Sequence, residues 1–99
     1  MKIVDTGVVI GSVEDGTGNW KLNDGSGARQ SRYRVTFMIK QATPPKVAVW
    51  LNRIDASLFP TTRLDVRAEN PTQEGFDVVF ETWGDSLVYG LGATWLAVE

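Results

Sequence analysis

An alternation of apolar and polar residues with a period of two constrains the fold of this chain more than any other feature. Between Arg63 and Glu69, the apolar residues Leu64, Val66 and Ala68 alternate with charged ones. This spacing places the apolar side chains on one face of a β-strand and the charges on the other. No window of about eleven residues or more has the 3.6-residue period of an amphipathic helix. The sequence therefore predicts an all-β protein.

Five further segments have strand character. They are residues 8–10, 33–39, 46–54, 75–82 and 87–98. Proline, glycine, asparagine and aspartate separate them, as expected of turns. Strands at this spacing predict an antiparallel β-sandwich or a barrel, and a six-stranded antiparallel β-sandwich is the fold that we expect.

Two of these segments allow a finer prediction. The segment 46–54 is apolar on both sides, with Val49 on one side and Trp50 on the other, so we expect a central strand. In the segment 87–98, Tyr89 is in phase with Trp95, and we expect its ring to be partly packed. Gly90 and Gly92 in the same segment indicate a bulge or a close neighbour.

The composition limits the classes of partner. The chain has 99 residues, which fit one core, so we expect a single domain across residues 1–99. The formal net charge of -2 argues against nucleic acid and against an anionic membrane surface, because both require a basic face. No run of about 18 apolar residues occurs, so we expect no membrane insertion.

The N-terminal segment carries no targeting signal. The segment from Met1 to Asp5 lacks the long apolar run of a secretory signal. We therefore expect a soluble product made without a cleaved leader, or one from which a leader has been removed. Extracellular, cell-surface and virion-associated locations are all compatible with this sequence.

The absence of histidine and cysteine restricts the chemistry. Without them, the usual nucleophile–base triads, the commonest metal ligands and disulfides are all excluded. The carboxylates show no recognisable spacing for glycoside hydrolysis. We therefore expect no enzymatic activity and no cofactor.

The polar, glycine-rich segment from Glu14 to Gln30 is long for a loop in a small domain. Asp15, Asn19, Asn23 and Asp24 are oxygen donors of the kind that calcium prefers. Their spacing does not match a known calcium loop, and turns use the same residues, so we expect no metal site. Whether this loop binds a ligand stays open.

An ordered set of short motifs carries a family resemblance. These motifs are Pro44-Pro45, Ile54-Asp55, Arg63, Gly75-Phe76, Thr82-Trp83, Tyr89 and Trp95. From about Thr36 to Val98 the chain resembles the H-type lectin domain, the family of the snail agglutinins and of the C-terminal domain of the slime-mould discoidins. The resemblance implies a parallel homotrimer, sometimes doubled to a hexamer. It also implies recognition of galactose and N-acetylgalactosamine glycans in clefts between protomers, without catalysis.

The resemblance also implies roles for individual residues. The sugar-contacting arginine of the family falls on Arg63, its aromatic plate on Trp83 and its ring hydroxyl on Tyr89. An acidic loop residue that binds sugar hydroxyls has its counterpart in Asp24.

One departure from the family puts the exact sugar in doubt. Gly84 occupies the position at which the snail agglutinin has a histidine that contacts the sugar. Asp85, next to it, supplies an acceptor instead. Sugar binding is still expected, and Asp85 is included in the predicted site.

Two of these residues also have an alternative explanation. Arg63 belongs to a charged stripe with Asp65 and Arg67, and Trp83 could close the core at the end of a sheet. At the level of function, the competing hypothesis is a structural trimerisation or adhesion module of a fibre, virion or cell-surface assembly without a sugar site.

Overall fold

Six β-strands and no helix make up the regular structure of residues 2–59 and 61–99, the part of the chain that the computed structural model describes. The strands are β1 (Ile3–Ser12), β2 (Arg29–Thr36), β3 (Lys46–Ala56), β4 (Asp65–Glu69), β5 (Gly75–Thr82) and β6 (Val88–Val98). All paired strands are antiparallel, in two three-stranded sheets with the orders β1-β6-β3 and β2-β5-β4. This confirms the predicted six-stranded antiparallel sandwich. Nothing in the described part of the chain has the form of a membrane-spanning helix.

Aromatic rings from the two central strands, β5 and β6, join the sheets. Phe76 and Phe80 of β5 are fully buried, and the ring of Phe76 meets that of Trp95 of β6 edge-on with 5.2 Å between centroids. Trp20, from the long loop, packs on Phe80 with 6.0 Å between the ring centroids. Such pairs contribute about 0.5–1.5 kcal/mol each beyond the area that they bury. The core therefore fixes β5 and β6 relative to one another. The turn that joins them lies between the end of β5 and the start of β6.

The prediction that β3 is a central strand was wrong, because β3 lies at the edge of its sheet and pairs only with β6. Val49 packs against the core, whereas Trp50 is 47% exposed on the outer side. The second apolar side of this strand is therefore a surface of the protein and not part of its interior.

Apolar side chains continue across the outer surface of this sheet. Val8 of β1 and Trp50 of β3 both lie opposite Thr94 of β6, and Ala48 lies opposite Leu96 in the next row. We call this surface the outer apolar face, and it comprises Val8, Ile10, Ala48, Trp50 and Leu96. A contiguous exposed apolar surface is typical of regions that contact another protein.

The bounds of β2 and β1 also differ from the predictions. The predicted strand 33–39 begins earlier, at Arg29, and ends at Thr36, and Ile39 is 74% exposed instead of packed inward. Beyond Thr36 the backbone amide of Met38 donates to a carboxylate oxygen of Asp5 in the other sheet, at 3.1 Å. The chain therefore leaves β2 to cross between the sheets. The first strand is longer than the predicted 8–10.

A bulge at Tyr89 confirms one prediction and corrects another. The register between β3 and β6 shifts so that Gly90 and Val88 pair with successive residues of β3, which leaves Tyr89 as the extra residue. Val88 and Leu91 are both buried, and Tyr89 is 37% exposed. A bulge changes the direction of the side chain of the extra residue. The prediction that Tyr89 and Trp95 lie on the same face of the strand is therefore wrong.

The outer surface of the sheet β2-β5-β4 is charged, in contrast to the outer apolar face. The Arg67 guanidinium contacts Asp65 at 2.8 Å, Glu69 at 2.6 Å and Glu81 at 2.8 Å. Hydrogen bonds from Arg67 and then from Arg32 lower the pKa of Glu69. The expected charged stripe is therefore present, but Arg67 is at its centre and Arg63 is not among these contacts.

Asp15 anchors the long loop to β2. One of its carboxylate oxygens accepts from the Tyr33 hydroxyl at 2.5 Å and from the Ser12 amide at 3.1 Å, and the other accepts from the Thr17 amide at 2.9 Å. The bond from Tyr33, followed by those from Thr17, lowers the pKa of Asp15. Its oxygens are therefore occupied within the protein. Among residues 2–59 and 61–99 no three acidic side chains gather in a form that could hold a metal ion.

We expect Tyr33→Phe to lower the free energy of unfolding by about 1.5 kcal/mol near neutral pH, since it removes a hydrogen bond to a charged group. The folded-state pKa of Asp15 lies below its ordinary value of 3.8. The ionised form is therefore stabilised by folding, and this contribution is complete above about pH 5 and is lost as the pH falls. The variant should accordingly lose less stability than the wild type on acidification.

Urea denaturation at about pH 7 and about pH 3 measures both effects. Tyr89→Phe is the matched control, because its exposed ring lies at a different position in the fold. Equal stability of the Tyr33→Phe and Tyr89→Phe variants at both pH values would contradict the assignment.

Candidate functional site

One end of the sandwich collects the predicted site residues. Here β5 ends and β6 begins, and β2 and β4 start beside them, with Arg29 opposite Thr82 and Asp65 opposite Glu81. The residues at this end are Asp24 in the loop before β2, Arg63 before β4, Trp83 and Asp85 in the turn from β5 to β6, and Tyr89 in β6. The antiparallel topology therefore brings sequence-distant residues to one end of the molecule.

Two buried hydroxyl groups fix the backbone of Arg63. Its amide donates to the Ser86 hydroxyl at 2.9 Å, and its carbonyl accepts from the Thr82 hydroxyl at 2.6 Å. The Ser86 hydroxyl in turn donates to the Thr61 carbonyl at 2.7 Å. Sequence reasoning placed Thr82 in a family motif but gave neither Thr82 nor Ser86 a role in the site. Two hydroxyl residues that bracket a turn between apolar strands were the available signal, because a buried hydroxyl needs a partner.

The Arg63 guanidinium lies over the turn between β5 and β6. Its Nη1 is 3.2 Å from a carboxylate oxygen of Asp85. Gly84 has a φ of 69°, in the left-handed region, and a Cβ on it would lie 3.0 Å from the Arg63 Nη1. Because the Arg63 and Asp85 side chains are both open to solvent, their pairing adds little stability. Its effect is to place a two-pronged donor next to an acceptor.

A second arginine, Arg29, holds the glycine-rich loop against this turn. Its Nε donates to the carbonyl of Gly27 at 3.0 Å, and its Nη1 and Nη2 donate to the carbonyls of Asp24 at 3.0 Å and Gly84 at 3.1 Å. The Gly27 amide also donates to the Gly84 carbonyl, at 2.8 Å. Arg29 therefore brings the loop that carries Asp24 to the turn that carries Asp85. Sequence reasoning missed Arg29, whose only signal was its place at the end of the loop.

Trp83 and Tyr89 supply two aromatic surfaces at the same end. Trp83 is 41% exposed, so it does not close the core at the end of its sheet. Tyr89 projects from the bulge in β6, and within the described ranges 2–59 and 61–99 no hydrogen bond joins its hydroxyl to Arg63 or Asp85. The structure thus brings together Arg63, Asp85 and the Asp24 loop. It leaves the rings of Trp83 and Tyr89 partly exposed at the same end of the sandwich.

This arrangement is suited to binding a polar ligand that has an apolar side. The guanidinium of Arg63 donates in a planar fork, the carboxylates of Asp85 and Asp24 accept, and the rings offer faces for C–H groups. The side chains at this end include no histidine or cysteine, since the chain has neither. Hydrogen bonds and contacts with aromatic faces are the interactions that these groups can make.

Comparison with known proteins agrees with this interpretation. The model of the H-type lectin domain matches residues 32–98. The chain is 42% identical over 80 residues to a discoidin-1 polypeptide of Dictyostelium discoideum, covering 80% of this chain and 32% of that protein. It is 36% identical over 91 residues to the ATP synthase subunits region ORF 7 protein of Fuscovulum blasticum, covering 92% of this chain and 76% of that protein. The recombinant discoidin II of Dictyostelium discoideum superposes with a TM-score of 0.77 at 33% identity, over 96% of this chain and 37% of that chain. The chain thus spans about a third of the length of the discoidins that it matches.

We expect Arg29→Lys to loosen the loop, because a single ammonium group cannot serve the three carbonyls that the planar guanidinium reaches. Hydrogen exchange of the Gly27 amide, measured by NMR, should accelerate at least about fivefold, while exchange of the buried Val78 amide stays unchanged. Arg53→Lys, on the exposed edge of β3, is the matched control. Unchanged exchange at Gly27 would show that the loop is held without Arg29.

Proposed function

The chain belongs to the H-type lectin domain family, a family of non-catalytic carbohydrate-binding domains, and we propose that it binds glycans of the galactose and N-acetylgalactosamine type. The observation that supports this most strongly is the contact of the Arg63 guanidinium with the Asp85 carboxylate, in the turn that also carries the exposed Trp83. The proposed site comprises Arg63, Trp83, Asp85, Tyr89 and Asp24.

Each group in the site has a complementary group on such a sugar. Neighbouring hydroxyls of the sugar accept hydrogen bonds from Arg63 and donate to Asp85 or Asp24, and its C–H face lies on Trp83. The affinity of a single site is weak, because hydroxyl groups exchange bonds to water for bonds to protein and little apolar area is buried.

We further propose that the protein assembles as a parallel homotrimer, with the doubled hexamer as the alternative. The outer apolar face supports this, because Trp50 and Val8 leave apolar area exposed that a neighbouring protomer can cover. A depression of about 270 Å³, lined by aliphatic side chains of this sheet, extends from Ala48 and Leu96 to Lys46 and Val98. It lies at the opposite end of β3 from the turn and lacks the polar groups that a sugar needs, so it fits a protein contact.

Assembly also provides the remaining wall of the site. The rings of Trp83 and Tyr89 are about two-fifths exposed in a single protomer, at 41% and 37%. A cleft between protomers encloses a ligand that one open surface holds poorly. Three such clefts on one assembly convert weak single-site affinity into avidity for a surface dense in one glycan.

We expect Arg63→Ala and Trp83→Ala to abolish binding on a glycan array while the oligomer measured by sedimentation stays intact. Loss of a charged hydrogen-bond donor costs about 1.5–3 kcal/mol, or roughly ten- to a hundredfold in affinity for each site. Arg53→Ala is the control for Arg63→Ala, and it should keep binding. If the Arg63 and Trp83 variants instead disrupt the oligomer, the competing function of a structural trimerisation module is favoured.

The outer apolar face generates a separate prediction. Trp50→Lys places a charge in the proposed interface, so the sedimentation mass should fall toward that of the monomer and the array signal should fall with it. Met38→Lys is the control, because Met38 is exposed outside the outer apolar face. An oligomer that Trp50→Lys does not change would contradict the use of this face.

A further inference from the structure

Resting on the proposed carbohydrate site, we infer that the Asp85 carboxylate makes this site selective for neutral glycans over sulfated or carboxylated ones. The inference concerns the ion pair of Arg63 with Asp85 and the glycine between Trp83 and Asp85. It names a role for Asp85 beyond that of a hydrogen-bond acceptor.

Gly84 makes the ion pair possible. Its φ of 69° turns the chain so that Asp85 lies beside Arg63, with 3.2 Å between Nη1 and the carboxylate. Any side chain at this position would begin 3.0 Å from the same Nη1 and would displace the flexible end of the arginine. The absence of a side chain at Gly84 therefore leaves Arg63 paired with the carboxylate of Asp85, the residue that follows Gly84 in the turn.

Charges of both signs lie around Gly84. The guanidinium groups of Arg29 and Arg63 approach it, and Asp85 follows it with its carboxylate 3.2 Å from Arg63. The guanidinium of Arg29 is directed at three backbone carbonyls, so Arg63 is the cation best placed to meet a ligand. Its neighbour Asp85 offsets that charge.

An anionic glycan and a neutral one therefore face different conditions. A sulfate or carboxylate that binds Arg63 either displaces Asp85 or lies next to it, and a like charge this close is unfavourable even in a solvated site. A sugar hydroxyl is both donor and acceptor, so a neutral sugar can bond to both members of the pair. The pair thus favours the neutral ligand over the anionic one.

The test compares galactose with galactose carrying one sulfate, by titration at low and at high salt. For the wild type we expect stronger binding of the neutral sugar. Asp85→Asn keeps the shape and removes the charge, and it should raise the affinity for the sulfated sugar about fivefold or more relative to galactose, with the gain reduced at high salt. Asp65→Asn changes the net charge equally but affects an ion pair with Arg67, so it should leave the ratio unchanged.

Each other outcome has a definite meaning. If the wild type binds neither sugar, the proposed function fails and the inference fails with it. If galactose binding persists and Asp85→Asn leaves the ratio unchanged, the inference alone is overturned. A wild-type preference for the sulfated sugar overturns it, and so does loss of both sugars in Asp85→Asn, because asparagine keeps an acceptor oxygen and the charge itself would then be required for binding.

Discussion

The geometry of the candidate site depends on two buried hydroxyl groups, those of Ser86 and Thr82. The Ser86 hydroxyl accepts from the amide of Arg63 and donates to the carbonyl of Thr61, so it joins the segment before β4 to the turn before β6. A buried hydroxyl left without partners costs about 1–3 kcal/mol, so both bonds have to be kept together. Arg63 is therefore positioned by backbone contacts in the interior. Its exposed ion pair with Asp85 orients the guanidinium group but does not hold the backbone in place.

The two outer surfaces of the sandwich have opposite chemistry, and this contrast determines which of them is less costly to bury against another protomer. The sheet β2-β5-β4 is covered by ion pairs around Arg67, which satisfy one another in water. The sheet β1-β6-β3 instead presents Trp50 and Val8 without charged neighbours opposite them in the register. Burial of the second surface against another protomer gains apolar area at little electrostatic cost, whereas burial of the first would remove several charges from water.

Much of the fold followed from local pattern, and the errors have physical causes. Strand β5 was predicted at its observed bounds, because a sequence period of two reports which side chains face a core. The same period cannot distinguish an interior face from one that a partner covers, so β3 was placed at the centre of a sheet. It also cannot locate the extra residue of a bulge, so Tyr89 was given the wrong face. Arg29 and Ser86 act through contacts distant in sequence, and such contacts follow from the topology and not from any local pattern.

The indole signals of the four tryptophans provide the most direct test of the central claim, that the end carrying Arg63 and Trp83 binds a galactose-type sugar. In an NMR titration of the intact protein with N-acetylgalactosamine, we predict a saturable shift of the Trp83 indole signal that Arg63→Ala abolishes. The Trp20 indole, which is buried and donates to the Val88 carbonyl, should not move. A saturable shift at Trp50 with none at Trp83, or no saturable shift at any tryptophan, would contradict the account.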